Sequence, residues 1–181
     1  SFVLVLIIGT LIAMLLWWCR SAADILEPYF VVLNSLPKSA MAPIFIVWLG
    51  NNMKTIIVTA ISVAIFGSIL NLFTSFMSTD PDKLKLIRTL HGSQADCLTK
   101  VILPMNLPTI LSILKVDIGL CLIGVVIGEF LAAKEGLGYL IIYGSQVFKM
   151  DWVMLSIVLL CLIAALLYGV LNRLEKHFRN F

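Results

Sequence analysis

Residues 78–104 decide how this chain folds, because they form a polar interruption in an otherwise apolar sequence. They read STDPDKLKLIRTLHGSQADCLTKVILP. The first half predicts a short helix, in which Asp80 caps the unpaired amides of the opening turn and Pro81 takes the first helical position. Gly92 is expected to end this helix as a left-handed residue.

The second half of this segment predicts another short helix. Ser93 is suited to cap it, with Asp96 three residues later in a weaker form of the capping box. Pro104 is expected to end it, because proline interrupts the hydrogen-bond ladder of a helix. We call the polar segment as a whole, residues 78–106, the elbow.

The first helix of the elbow carries more apolar side chains than so short a segment can bury within its own chain. They are Leu84, Leu86, Ile87 and Leu90. We therefore expect an amphipathic plug that docks against a partner surface.

The composition indicates an integral membrane protein. Apolar residues make up 61% of the chain and charged residues 13%, while the net charge of +3 is too small and too dispersed for a nucleic-acid partner. Several apolar runs approach the roughly 20 residues that a helix needs to cross a bilayer. We expect an all-α polytopic bundle, a single domain over residues 1–181, with spans at about 2–18, 25–49, 55–76, 107–131 and 152–171.

The distribution of basic residues predicts how the chain is oriented in the membrane. Basic residues are more frequent in the cytosolic loops of membrane proteins. One side of the expected bundle carries Arg20, Lys83, Lys85, Arg88, Lys100, Arg173, Lys176 and Arg179, whereas the other carries Lys54, Lys134 and Lys149. The elbow is therefore expected to be cytosolic.

The elbow resembles the signature loop of the permease subunits of bacterial binding-protein-dependent ABC importers. The pattern of that loop is Glu-Ala-Ala, three residues, Gly, nine residues, Ile, any residue, and Leu-Pro. On this chain the Glu-Ala-Ala position falls on residues 85–87, Gly on His91, Ile on Val101 and Leu-Pro on residues 103–104. The chain has Lys85 in place of the acid and His91 in place of the glycine, and Gly92 next door is expected to supply the same turn.

Other stretches resemble the subfamily that imports nitrate, aliphatic sulfonates, taurine, bicarbonate and some vitamin precursors. They are residues 26–28, 35–37, 43–44, 48–50, 88–90, 128–130 and 136–140. The resemblance implies a multi-pass protein of the bacterial inner membrane, in a lipid bilayer, that imports a small and anionic solute. It also implies a further span ahead of residue 1.

The same resemblance implies the partners of the chain. They are ABC ATPase subunits at the cytosolic face, an external solute-binding protein, and a second permease subunit that forms a homodimer. ATP and Mg²⁺ are then used by the ATPase subunits, and this chain binds no cofactor. The residues expected to couple to an ATPase are Leu84, Ile87, Arg88, Leu90, His91, Gly92, Val101, Leu103 and Pro104.

Polar residues at membrane depth are candidates for the translocation path. They are Asn34, Ser35, Lys38, Asn71, Asp117 and Glu129. Lys38 and Asp117 each lie about ten residues from the cytosolic end of a span, or roughly 15 Å at the helical rise, so they are expected at similar depth. Two interpretations stay open: a buried ion pair that joins two helices, or a Lys38 that attracts an anionic substrate.

No catalytic or metal-binding constellation emerges from the sequence. Two other kinds of membrane protein remain as alternatives. A channel or secondary transporter would depend on an ion gradient rather than on ATP. A membrane scaffold would show no ATPase activity that a substrate stimulates.

Overall fold

The computed structural model describes the backbone of residues 1–179 and the side chains of residues 1–173. Every regular element in the described part of the chain is helical, which confirms the all-α prediction. Lys176 and Arg179, two of the residues used for orientation, have side chains outside that range. The helices are α1 (Phe2–Trp18), α2 (Arg20–Ser35), α3 (Lys38–Leu49), α4 (Met53–Met77), α5 (Pro81–Thr89), α6 (Gln94–Cys97), α7 (Leu103–Ala132), α8 (Leu137–Gln146) and α9 (Met150–Arg179).

Among the described residues, three helical segments are long and apolar enough to cross a membrane: Met53–Met77, Gln94–Ala132 and Met150–Arg173. They contain the spans expected at 55–76, 107–131 and 152–171. The expected span at 2–18 is α1, an apolar helix of 17 residues. The bundle is therefore a set of apolar helices around α4 and α7.

The span expected at 25–49 is a pair of helices, α2 and α3, that meet at an angle of 93°. The break lies at Leu36 and Pro37, where proline supplies no amide and holds the residue before it in an extended conformation. Pro28 and Pro43 lie inside α2 and α3 without interrupting them. Only Pro37 therefore divides this segment.

The α4 and α7 helices form the most extensive helix contact in the described part of the chain. Their backbones approach closely because α7 has glycine where α4 is nearest. A Cβ atom on Gly124 would lie 2.5 Å from the Ala60 Cα, and one on Gly128 would lie 2.9 Å from the Ile56 Cα. The small residues of both helices thus serve helix packing, as the spacing of small residues in membrane helices predicts.

The second half of the elbow continues directly into α7, so Pro104 does not end a helix as expected. A π-helical turn, Leu98–Ile102, joins α6 to α7. The Leu103 amide donates to the Leu98 carbonyl, one residue farther back than in an α-helix. This shift lets the backbone hydrogen bonds of the helix continue past Pro104, which has no amide to donate. Residues 94–132 therefore form one uninterrupted helical rod of 39 residues.

We predict that Gly124→Ala destabilises the bundle, whereas Gly119→Ala in the same helix does not. The new methyl group at Gly124 would overlap the Ala60 backbone, while a Cβ on Gly119 has nothing within 4 Å. Forcing an extra carbon into a packed contact costs about 1–3 kcal/mol. Thermal unfolding in detergent should therefore show a lower Tm than that of the unsubstituted protein for Gly124→Ala but not for Gly119→Ala. Equal Tm values for the two variants would contradict the backbone contact.

Candidate functional site: the coupling elbow and the polar path

The start of α5 confirms the capping expected at Asp80. The Asp80 carboxylate accepts a hydrogen bond from the Asp82 amide at 2.9 Å, and Pro81 takes the first helical position. The carboxylate and the helix N-terminus attract each other, because the free amides there carry partial positive charge. The first turn of the elbow is therefore determined by local sequence.

The end of α5 differs from the expectation, because the left-handed residue is His91 and not Gly92. His91 has φ of 58°. Its amide donates to the Arg88 carbonyl at 3.0 Å, and the Gly92 amide donates to the Ile87 carbonyl at 2.9 Å. These two bonds form a Schellman motif, in which the left-handed position normally favours glycine.

Gly92 has a different role in the same turn. A Cβ atom there would lie 2.4 Å from the Ile87 Cγ2 and 2.9 Å from the Ile87 carbonyl oxygen. The glycine is thus required for space, and His91 adopts the left-handed conformation because the two carbonyl bonds hold it there. His91 occupies the position at which the permease signature has its glycine. The left-handed turn therefore occurs at the signature's glycine position, although the residue there is histidine.

The α5 helix exposes the apolar surface that the sequence predicts for a plug. No residue of α5 is buried. Leu86 is 60% exposed and Leu90 is 71% exposed. Leu84 and Ile87 are half-buried, and Leu84 packs against the core of the bundle. With Arg88 and His91 also exposed, this end of the molecule presents a mixed apolar and basic surface.

The α6 helix begins with the capping box expected at Ser93. The Asp96 amide donates to the Ser93 hydroxyl at 3.2 Å, and the Ser93 amide donates to the Asp96 carboxylate at 2.8 Å. The ammonium of Lys100, 2.6 Å from that carboxylate, and the bonds from Ser93 hold the pKa of Asp96 well below its usual range. The cap is therefore fully formed above about pH 4 and weakens only as the pH falls further.

Three residues assigned to coupling lie where the elbow enters the bundle. Val101 is only 8% exposed, and Leu103 is half-buried. Val101 is therefore not available to a partner, because its side chain packs inside its own chain. Pro104 is exposed beside them. Val101 and Leu103 connect the elbow to α7, whereas the exposed residues Arg88, Leu90 and His91 lie at the end of α5 and in the turn after it.

The ion pair between Lys38 and Asp117, one of the two interpretations left open by the sequence, does not form. The Lys38 ammonium donates to the carbonyls of Leu33, Asn34 and Leu36, at 2.9 Å for Asn34 and 3.2 Å for Leu36. These carbonyls lie at the end of α2, where Pro37 removes their helical partners. Lys38 therefore caps the bend.

Asp117 takes its partner from α4. It is 2% exposed, and its carboxylate accepts a hydrogen bond from the Ser68 hydroxyl at 2.7 Å. Counting residues along each helix predicts depth but not the direction in which a side chain points. For that reason the sequence suggested that Asp117 could meet Lys38. In the structure, Asp117 instead lies between α4 and α7.

The other path candidates divide into exposed and structural residues. Asn34, Ser35 and Asn71 are exposed, and the Ser35 hydroxyl donates to the Val31 carbonyl at 2.9 Å. Glu129 accepts a hydrogen bond from the Gly138 amide at 2.7 Å, at the start of α8. A Cβ on Gly136 would lie 2.6 Å from that carboxylate. The Glu129 side chain therefore links α8 to the end of α7 through this hydrogen bond.

A buried polar network that was not predicted from the sequence lies where the elbow meets the bundle. The Ser75 hydroxyl donates to the Asn106 side-chain oxygen at 2.6 Å. The Asn106 amide in turn donates to the Thr79 hydroxyl at 2.8 Å and to the Ile102 carbonyl at 2.9 Å. An asparagine between two prolines at the entry to an apolar span was the signal for it. The network joins the end of α4 to the beginning of α7.

We predict opposite effects for two substitutions in the turn after α5. His91→Gly removes the cost of a left-handed side chain, about 1 kcal/mol, and should slow amide hydrogen exchange in the last turn of α5. Gly92→Ala should speed that exchange, because its methyl group meets the Ile87 carbonyl. Hydrogen exchange measured by mass spectrometry on the isolated permease distinguishes the two. Faster exchange in His91→Gly would contradict the role assigned to this turn.

Comparison with known proteins identifies the family. The family model described as "Binding-protein-dependent transport system inner membrane component" matches residues 5–180. A probable ABC transporter permease protein of Haemophilus influenzae is 30% identical over 94% of this chain and 69% of its own length. The formylaminopyrimidine transport permease protein ThiX of Halalkalibacterium halodurans is 27% identical over 94% of this chain and 68% of its own length.

A third relative is the putative aliphatic sulfonates transport permease protein SsuC of Bacillus subtilis. It is 27% identical over 93% of this chain, which spans 61% of the length of that relative. The match therefore covers nearly all of this chain and about two thirds of the relatives. The apolar helices, the exposed elbow and these relatives agree on a multi-pass, non-catalytic transport subunit of the inner membrane. The chain belongs to the family of inner membrane components of binding-protein-dependent transport systems, the permease subunits of ABC transporters.

Proposed function

We propose that α5 is the site at which a cytosolic ATPase subunit drives this permease. The observation that carries the proposal is the exposure of Leu86, on a helix with no buried residue, and of Leu90 directly after that helix. In water, such a surface favours burial against a partner, and an amphipathic helix commonly supplies it by entering a groove. Arg88 and His91, exposed beside the leucines, are the polar contacts of this docking surface.

The connection between α5 and the bundle supports a mechanical role for the elbow. Its second half is continuous with α7, and Asn106 links that helix to Ser75 and Thr79 at the end of α4. Movement of α5 on ATP binding would therefore displace the elbow ends of α4 and α7 together. Tilting this pair would change the side of the membrane to which the path opens. The ATPase must bind the two states of the elbow with different affinity, since only such a difference shifts the equilibrium.

ATP and Mg²⁺ are assigned to the ATPase subunits, and this chain is assigned no cofactor. On the opposite side of the membrane, an external solute-binding protein delivers the solute, as the family description implies. A second copy of this chain completes the path as a homodimer. The exposed apolar surfaces of α2, α3 and α9 provide area for that copy and for lipid.

The solute is proposed to be small and organic, either an anion such as a sulfonate or a vitamin precursor. This range follows the names of the relatives, which transport formylaminopyrimidine and aliphatic sulfonates. The exposed Asn34 and Asn71 are the residues assigned to line the path. Lys38 lies next to Asn34 at the bend, where an anion would compete with the carbonyls for its ammonium. Asp117 is assigned to the α4 and α7 contact, because it is buried there.

We predict that Leu90→Asp prevents the ATPase subunit from co-purifying with the permease. Leu90 is exposed in the isolated chain, so the substitution should leave the fold and membrane abundance unchanged. Burying a carboxylate in an apolar contact costs about 2 kcal/mol or more, so the affinity should fall at least about thirtyfold.

The matched control for this variant is Met53→Asp, which changes an exposed apolar residue at the opposite end of α4. The ATPase subunit should no longer co-purify with the Leu90→Asp permease, and ATP hydrolysis by the complex should be lost. Both should be retained in Met53→Asp. If the Leu90→Asp permease still binds its ATPase with unchanged affinity, α5 is not the docking site.

A further inference from the structure

The joint between α1 and α2 lies beside the elbow. The α1 helix ends at Trp18 and α2 begins at Arg20, with only Cys19 between them in an extended conformation. Such a break changes the direction of the chain and leaves carbonyls of the last turn of α1 without helical partners. The Trp18 carbonyl is one of these groups.

Two side-chain contacts hold this joint, and both come from residues that flank α5 in the sequence. The Gln94 side-chain amide donates to the Trp18 carbonyl at 3.0 Å. On the other side, the Arg20 guanidinium donates to the Met77 sulfur at 3.5 Å. Met77 is the last residue of α4 and Gln94 is the first residue of α6. The joint is thus attached to both ends of the segment that contains α5.

The helices beyond the joint, α2 and α3, lie at the edge of the bundle, where they contact α4 and α7. The α2 helix has a single buried residue, Ala23, and α3 has a single buried residue, Ala42. Lys38 fixes the angle between α2 and α3 through the carbonyls at the end of α2. Because so little of this pair is buried, the contacts at the joint add to its packing against α4 and α7 in setting its position.

We propose that Gln94 is a positioning residue that transmits movement of the elbow to α2 and α3 through the Trp18 carbonyl. The inference rests on the proposed coupling function of α5 and adds a second route of transmission. The first route runs along α7 and moves the core of the bundle. The second moves the bent pair, which carries Asn34 and Lys38 of the proposed path. Opening of the path then requires both routes to act together.

The variant that tests this route is Gln94→Glu. Glutamate has the same length as glutamine but, as a carboxylate, offers no donor to the Trp18 carbonyl. It also suits the first turn of α6, where negative charge is favoured, so the capping box should stay intact. Gln94→Lys restores a donor and should rescue the contact. Gln146→Glu makes the same change at an exposed glutamine of α8 and is the matched control.

The measurement is the distance between spin labels on Val32 of α2 and Ile123 of α7, both exposed, in the complete complex with its ATPase in nanodiscs. Labels attached through a non-natural amino acid leave the native cysteines in place. The distance is measured without nucleotide and with ATP plus vanadate, so no solute is needed. We expect the ATP-dependent change to lose most of its size in Gln94→Glu and to persist in Gln94→Lys and Gln146→Glu.

An unchanged response of the Val32 label in Gln94→Glu would overturn the inference while leaving the coupling function of α5 in place. Failure of the proposed function has a different signature. In that case the unsubstituted complex would show no ATP-dependent distance change at all. ATPase co-purification, which Gln94→Glu should retain, separates loss of transmission from loss of docking.

Discussion

The close contact between the backbones of α4 and α7 holds the centre of the bundle together. Gly124 and Gly128 carry no side chain where α7 meets Ala60 and Ile56, so the two helices pack against each other along their length. In a bilayer, apolar side chains gain little by leaving lipid, and close packing of small residues holds helices together instead. The α1 helix adds to this pair through the face that contains Val5, Gly9 and Ala13.

Polar groups strengthen the same pair at two levels. Ser68 satisfies the buried Asp117 carboxylate in the middle of the contact, and Asn106 bonds Ser75 and Thr79 at its elbow end. A buried polar group without a partner would cost several kcal/mol in the membrane, so these bonds make the register of the two helices specific. The elbow is consequently attached to a stiff pair of helices. An ATPase that moves α5 would move the centre of the permease.

Local signals in the sequence predicted local structure well. The caps at Asp80 and Ser93 form as expected, because each depends on residues no more than three positions away. The left-handed conformation of His91 was not predicted, because glycine is the usual residue there. The cost for histidine is small, about 1 kcal/mol, and the two hydrogen bonds to carbonyls and the close approach of Gly92 to Ile87 outweigh it. Pro104 was expected to end a helix, and the π-helical turn before it avoids the break. Contacts between residues distant in the sequence, such as Lys38 and Asp117, could not be predicted in this way. Equal depth in the membrane does not tell which helix a side chain faces.

We expect the elbow and the pair of helices α4 and α7 to move as one rigid unit, and a single distance can measure whether they do. Spin labels on Lys83 of α5 and Leu131 near the far end of α7 report whether the elbow moves with α7. The complete complex should give the same distance without nucleotide and with ATP plus vanadate, because the short hydrogen-bonded turn at His91 and Gly92 joins α5 to the continuous helix from Gln94 to Ala132. A distance that changes with nucleotide would mean that the elbow swings on its own, and that α7 does not carry its movement across the membrane.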